Sequence, residues 1–169
     1  FMKTGITYMG IRDAECTRQH MDSLVSRGYT HVCHPYSESD FLYYRETMRE
    51  IIEVSKAAGL NVYVSPCGMG KVFNGKALSE LAVGKGVQPQ TDNQNEVVLA
   101  ACPNSRDFQE YLRNWVEEIC TTEVETVMWD NPHFYSTNGN EQWCCRCEIC
   151  QKLFRKKTNH LMPNSLTQS

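Results

Sequence analysis

The sequence predicts an α/β fold built from parallel (β/α) units. Three observations carry this expectation. Apolar residues recur alternately with the period of strands and of helices. The helical stretches are long enough to act as crossovers, which are right-handed and leave successive strands parallel. Between the two outcomes that remain, an open doubly wound sheet and a (β/α) barrel, the barrel is favoured because "YMGIRDAE" after the first strand lacks the glycines of a dinucleotide-binding turn.

Taken in order, "GITYMG" reads as a strand. "DAECTRQHMDSLVSRG" reads as a helix with Asp13 as N-cap, Gly28 as its stop and Cys16, Met21, Leu24 and Val25 on one face. "YTHVCH" is a second strand. A single long helix, "SDFLYYRETMREIIEVSKAAG", follows, with Phe41, Tyr44, Met48, Ile51, Ile52 and Ser55 at helical spacing and Gly59 ending it. "NVYVS" is the third strand, and Pro66 to Glu96 reads as a long loop. "VVLAACP" then leads into the helix "SRDFQEYLRNWVEEIC", whose apolar face runs from Phe108 to Ile119, and "VETVMWD" is the fourth strand.

About four such units fit in the chain of 169 residues, whereas a complete eight-unit barrel needs about 250. The expectation is a single (β/α) domain over 1–169 forming part of a TIM-type barrel, its amino-terminal half. Such a sheet would leave two strand edges unpaired. The chain is therefore expected to be a fragment of a longer barrel protein, or to pair edge to edge with another half or a second copy.

Composition sets further bounds. The net charge of −3 and pI near 6.0 give no basic surface for a phosphate backbone, so nucleic acid is not expected as a partner. No apolar run approaches the roughly 20 residues of a membrane span, and the opening residues lack the order of a secretory signal. Membrane association is not expected, and the cytoplasm is the expected compartment. Nine cysteines, four of them clustered, suit reduced thiols with one metal site better than a disulfide framework.

That cluster is "WCCRCEIC". Cys145, Cys147 and Cys150 have the Cys-x-Cys-x-x-Cys spacing that brings three thiolates from a turn and the start of a helix onto one zinc. Cys144 is a competitor for the place of Cys145. The fourth ligand comes from elsewhere, and Cys33, Cys67 and Cys102 all follow apolar strands. Cys16 and Cys120 lie on helices and read as packing residues.

"ACPNSRDFQEYLRNWVEEI", then a strand, then "WDNPHF" and "CRCEICQKLF", is similar in order to the family-42 β-galactosidases and related barrel glycoside hydrolases. The resemblance implies that Cys102 joins Cys145, Cys147 and Cys150 on a structural zinc, within a metal-bound loop and helix spanning 130–155. It also implies a carbohydrate ligand. The position of Cys102, after an apolar strand and before Ser105, agrees with that assignment and places it on the same strand-end rim as Trp129. Four thiolates fill a tetrahedron, so such a zinc has no place for substrate.

Chemistry is then expected beside the zinc, at the carboxyl ends of strands. Asp130 and His133 are the candidate catalytic residues. Asp130 would be one of the two carboxyl groups of glycoside hydrolysis, and His133 its hydrogen-bonding neighbour. Trp129 and Phe134 would stack on sugar, with Asn131, His34 and Glu38 lining the cleft. The plainer alternative is that Asp130 and Asn131 cap the loop and Glu38 begins a helix. The resemblance breaks at one point. The similar enzymes carry Asn-Glu, with the Glu as acid/base, where this chain has Asn131-Pro132. Either Asp130 has taken over the proton-transfer role or the site is not a hydrolase site of that kind. The chain alone is expected to lack glycosidase activity because the second carboxylate, expected late in the barrel, is absent, and a non-catalytic zinc-stabilised binding domain is the alternative. The loop "CGMGKVFNGK" misses a phosphate-binding motif, since Ala77 stands where a hydroxyl is needed.

Overall fold

The computed structural model describes residues 2–73, 79–84, 86–137 and 142–165. Gly75, Lys76 and Ala77 lie outside the described residues. In chain order the elements are β1 (Gly5–Thr7), α1 (Ala14–Ser26), β2 (His31–Pro35), α2 (Glu38–Tyr43), α3 (Arg45–Ala57), β3 (Asn61–Ser65), a 3-10 turn (Met69–Lys71), α4 (Glu80–Gly84), β4 (Pro89–Thr91), β5 (Val97–Ala101), α5 (Arg106–Cys120), β6 (Thr126–Val127), β7 (Ser136–Thr137), β8 (Gln142–Trp143) and α6 (Glu148–Thr158). The chain divides into two compact units. The first is Phe1–Cys67 with Asn114–Asp130, and the second is Gly68–Arg113 with Asn131–Ser169.

The first unit holds the predicted parallel sheet, in the order β1-β2-β3-β6. Gly5 aligns with His31 and His31 with Asn61, while Val64 aligns with Val127. Because side chains alternate along a strand, Val32, His34, Val62 and Val64 share one face, and all four are buried. The opposite face carries Thr7, Cys33 and Tyr63, and β1 is exposed along its length.

Local chemistry explains the helices. The Asp13 carboxylate accepts the Cys16 N–H at 2.7 Å, the cap expected from sequence. The buried stripe of α1 is Thr17 and Met21, four residues apart, while Cys16 and Val25 are exposed. Thr17 suits burial because its hydroxyl donates to the Asp13 carbonyl at 2.6 Å. The long helix expected after β2 is broken at Tyr44, whose φ of −131° and ψ of 32° are not helical. The short α2 before the break has its own capping box between Ser37 and Asp40. Arg12 grips the same Asp40 with two bonds, of 2.8 and 2.9 Å, and donates to the Pro35 carbonyl at 2.8 Å. Beyond the break, α3 buries Met48, Ile51, Ile52 and Ser55. Gly59 follows at φ +91°, the left-handed conformation that ends a helix cheaply only at glycine.

The second unit contains what sequence reading takes as a loop. Within 66–96 lie the 3-10 turn, α4 and β4. The "VVLAA" strand, β5, pairs antiparallel with β4 and not with the parallel sheet. Cys102 therefore leaves a local hairpin, which corrects the expectation that it ends a strand of the main sheet. A buried layer of Met69, Phe73, Leu81, Ala100, Ala101 and Phe108 supports the hairpin. Gly70, at φ +62°, lets the backbone pass the Phe108 ring, since a Cβ there would lie 2.4 Å from ring carbons.

Candidate metal centre

In the second unit the chain brings Cys102, Cys145, Cys147 and Cys150 together, all buried, with their sulfurs within 4.8 Å of one another. The Cys102 sulfur is 3.5 Å from those of Cys150 and Cys147. Four sulfurs at about 2.3 Å from one tetrahedral ion stand about 3.8 Å apart, so this spacing fits one cation at the centre. Val98, Tyr135, Ile149 and Met162 pack around the cluster.

Several elements make this convergence. β4 and β5 deliver Cys102, whose N–H donates to the Gln88 carbonyl at 2.9 Å. The β7–β8 ribbon turns the chain back toward Cys145. Cys147 is the N-cap of α6, so Cys147 and Cys150 sit at a helix amino end, where unpaired N–H groups and the dipole favour thiolates. Hydrogen bonding with the other cysteines, first with Cys102, holds the Cys147 thiol far below its ordinary value, and that with Cys145, Cys147 and Cys150 pushes Cys102 far above it. A hydrogen bond from Cys102 likewise lowers Cys145 to about 7. Four thiols this close in a buried space cannot all ionise unless a cation balances them.

Cys144 is excluded from the tetrad. It is buried beside Cys145, and burial pushes its thiol up to about 12. Cys33 and Cys67 lie in the first unit. Burial raises both thiols, Cys33 to about 11, and Asp130 adds to each shift. Cys16 and Cys120, expected as packing residues, are exposed.

Sequence reasoning passed over the polar groups that hold this loop. The Asn104 side-chain amide donates to the Cys150 sulfur at 3.3 Å, and its place two residues after Cys102 was the available signal. Asp92 is fully buried; its carboxylate accepts the N–H groups of Gln94 and Glu96 at 2.9 and 2.8 Å and binds the Gln142 amide. Gln90, also fully buried, donates to the Ala101 carbonyl and accepts the Tyr135 N–H at 2.9 and 3.0 Å. Nothing in the sequence marks Gln90.

The proposed cleft residues are placed less uniformly. His34 is wholly buried, its Nε2 2.8 Å from the Ser55 hydroxyl on α3, so it lies in the core under the helices and not in an open cleft. Burial, with a smaller contribution from Arg12, lowers its pKa to about 4. Its valine neighbours on that sheet face explain the difference: residues two apart along β2 share one side. Glu38, the first residue of α2, is also buried. Trp129 is 46% exposed and its ring centroid lies 5.7 Å from that of Trp115. Asp130 is exposed after β6 and belongs to the first unit. Asn131, His133 and Phe134 are exposed and belong to the second. Asn131 has φ +45°, and its carbonyl lies 2.8 Å from His133 Nδ1. The His133 N–H donates to the Val72 carbonyl at 2.8 Å.

By sequence, the chain matches no family profile and no curated protein. By structure, it is similar to the catalytic domain of β-amylase from Paenibacillus polymyxa, with a TM-score of 0.61 and 14% identity. The match covers 93% of this chain and 46% of that one, so this chain spans about half the length of the domain it resembles. At this identity the likeness concerns fold alone: a parallel α/β arrangement like part of a barrel catalytic domain.

Proposed function

We propose that this chain is the amino-terminal part of a glycoside hydrolase-like barrel that binds or acts on carbohydrate, with a structural zinc in its cysteine tetrad. The observation that carries the reading is the fold match, which takes in nearly the whole chain but under half of a β-amylase catalytic domain. The sheet supports it. Its helix-covered face is buried at Val32, His34, Val62 and Val64, while on the other face Met128 remains 39% exposed along a hollow with Thr7, Cys33 and Tyr63. Parallel sheets are normally covered on both faces. The remaining strands of a barrel, in the same polypeptide or a second one, would cover it.

Zinc suits the tetrad because four soft thiolates in tetrahedral array select zinc or iron among common metals, and a closed site without an open position is structural. A second reading, carbohydrate binding without catalysis, is favoured by Pro132 standing where the similar β-galactosidases have their acid/base glutamate. Elemental analysis of the purified chain tests the metal, with one zinc per chain expected. Oligosaccharide titration monitored by tryptophan fluorescence, beside turnover of aryl glycosides, tests the rest. Binding without turnover supports the second reading; neither binding nor turnover overturns both.

A further inference from the structure

Arg146, between two of the tetrad cysteines, is a buried cation without a carboxylate partner among the described residues. It is 8% exposed. Its backbone is clamped on both sides, the N–H donating to the Thr91 carbonyl at 2.7 Å and the carbonyl accepting the Gln151 side-chain amide at 2.6 Å. Its guanidinium reaches two neutral oxygens at the long end of hydrogen-bonding range. These are Asn95 Oδ1, 3.3 Å from Nη1, and the Met162 carbonyl, 3.2 Å from Nη2. The Nε atom is buried and has no acceptor. Among the described residues no carboxylate lies within 4.0 Å of this side chain. Buried charges are ordinarily paired, because an isolated one is expensive to desolvate.

The same side chain lines a hollow of about 400 Å³ together with Glu148, Gln151, Lys152 and Arg155 of α6. Three cations thus face one carboxylate, and that carboxylate, Glu148, is already 3.3 Å from the Lys152 ammonium. Leu161 and Met162 supply an apolar wall. The hollow combines a preorganised guanidinium, an excess of positive charge and room for more than a single ion.

We propose that this hollow binds the oxyanion, carboxylate or phosphate, of a small organic ligand, with Arg146 as its principal contact. A guanidinium presents paired N–H donors that match either group with two parallel bonds. A slight turn of the side chain exchanges its two long bonds to neutral oxygens for charge-assisted ones and gives Nε its acceptor. Lys152 and Arg155 attract the anion from the rim. The assignment does not depend on the glycoside reading or on the metal's identity.

The test is isothermal titration of the whole metal-loaded chain with inorganic phosphate, with glucuronate and with uncharged glucose, accompanied by the NMR signal of the Arg146 Nε–H. Saturable binding of phosphate, glucuronate or both is expected, with a shifted Nε–H signal and no comparable binding of glucose. A preference for phosphate assigns a phosphorylated ligand, and a preference for glucuronate a carboxylate. Arg146→Gln should weaken binding by about tenfold or more. Lys152→Gln with Arg155→Gln, at exposed positions, should weaken it several-fold while leaving fold and metal in place. Should Arg146→Gln fail to fold, unchanged affinity in the double variant overturns the proposal. So does the absence of saturable binding by both anions, or glucose binding equally well.

Discussion

The sulfur of Cys150 lies 3.5 Å from that of Cys102, a residue 48 positions earlier in the chain. A contact of that reach, between the start of α6 and the end of the β4–β5 hairpin, is where a bound cation would tie the second unit together. Cys102→Ser should release the metal to a chelator at least tenfold faster than the parent chain and lower the melting temperature by several degrees. Cys67→Ser and Cys144→Ser should retain it. Metal loss from Cys67→Ser, but not from Cys102→Ser, would overturn the assignment of the tetrad.

Asn104 makes a subtler contribution. Its amide donates to the Cys150 sulfur at 3.3 Å, and outer hydrogen bonds of this kind tune metal affinity by about ten- to a hundredfold. Asn104→Ala should keep one metal per chain yet release it faster in a chelator competition. Equal release rates would reduce Asn104 to a loop residue.

His34 should make the first unit acid-sensitive. Its folded pKa of about 4 lies below the ordinary 6.5, chiefly through burial. The unfolded chain therefore binds the proton more readily than the folded one. Stability is unaffected above about 6.5 and falls as pH drops from there toward 4, by roughly 3 kcal/mol at the lower end. Comparing denaturation of the parent chain and His34→Gln across this window isolates the histidine. The parent's stability advantage at pH 7 should shrink or reverse near pH 4, and a constant difference would contradict the buried neutral ring.

Gly70→Ala should be among the most damaging single-methyl changes in the chain. It combines a left-handed backbone with a Cβ placed 2.4 Å from the Phe108 ring, and a loss of about 2 kcal/mol or more is expected. Urea denaturation measures it directly. A loss below about 0.5 kcal/mol would mean that the Phe108 ring swings aside freely.

If the chain binds sugar, Trp129 is the exposed aromatic best placed after β6 to stack on it. Trp129→Ala should weaken oligosaccharide binding several-fold with little effect on melting. Unchanged affinity would move the sugar contact elsewhere.

The parallel sheet and three members of the cysteine tetrad were legible because each is written as a repeated spacing, whereas Cys102 was singled out only by the family resemblance. Alternating periods give (β/α) units, and Cys-x-Cys-x-x-Cys gives a knuckle. The break at Tyr44 was not legible, since its side chain continues the helical stripe while the cap at Ser37 and Asp40 and the grip of Arg12 are contacts between segments. Nor could spacing decide the side of His34, which depends on strand phase and reads equally well as a strand-end polar residue until Val32 and Val64 are seen beside it. The hairpin before Cys102 was hidden for another reason. Gln90 and Asp92 look like loop residues, and only their buried hydrogen bonds show that they organise a second core.

The distance along the chain between Cys102 and the Cys145–Cys150 knuckle also dictates an order of events during synthesis. A ribosome adds roughly 5–20 residues each second, so the hairpin thiol waits some seconds before its three partners emerge. In that interval the second unit has neither the α6 cysteines nor any metal they would hold with Cys102. If the tetrad holds a metal, its availability, rather than local helix or strand formation, would govern how quickly nascent chains escape proteolysis. Cells starved of that metal should then accumulate chains cleaved within residues 68–113 or 131–150, the second unit, while β1, β2 and β3 pair as before.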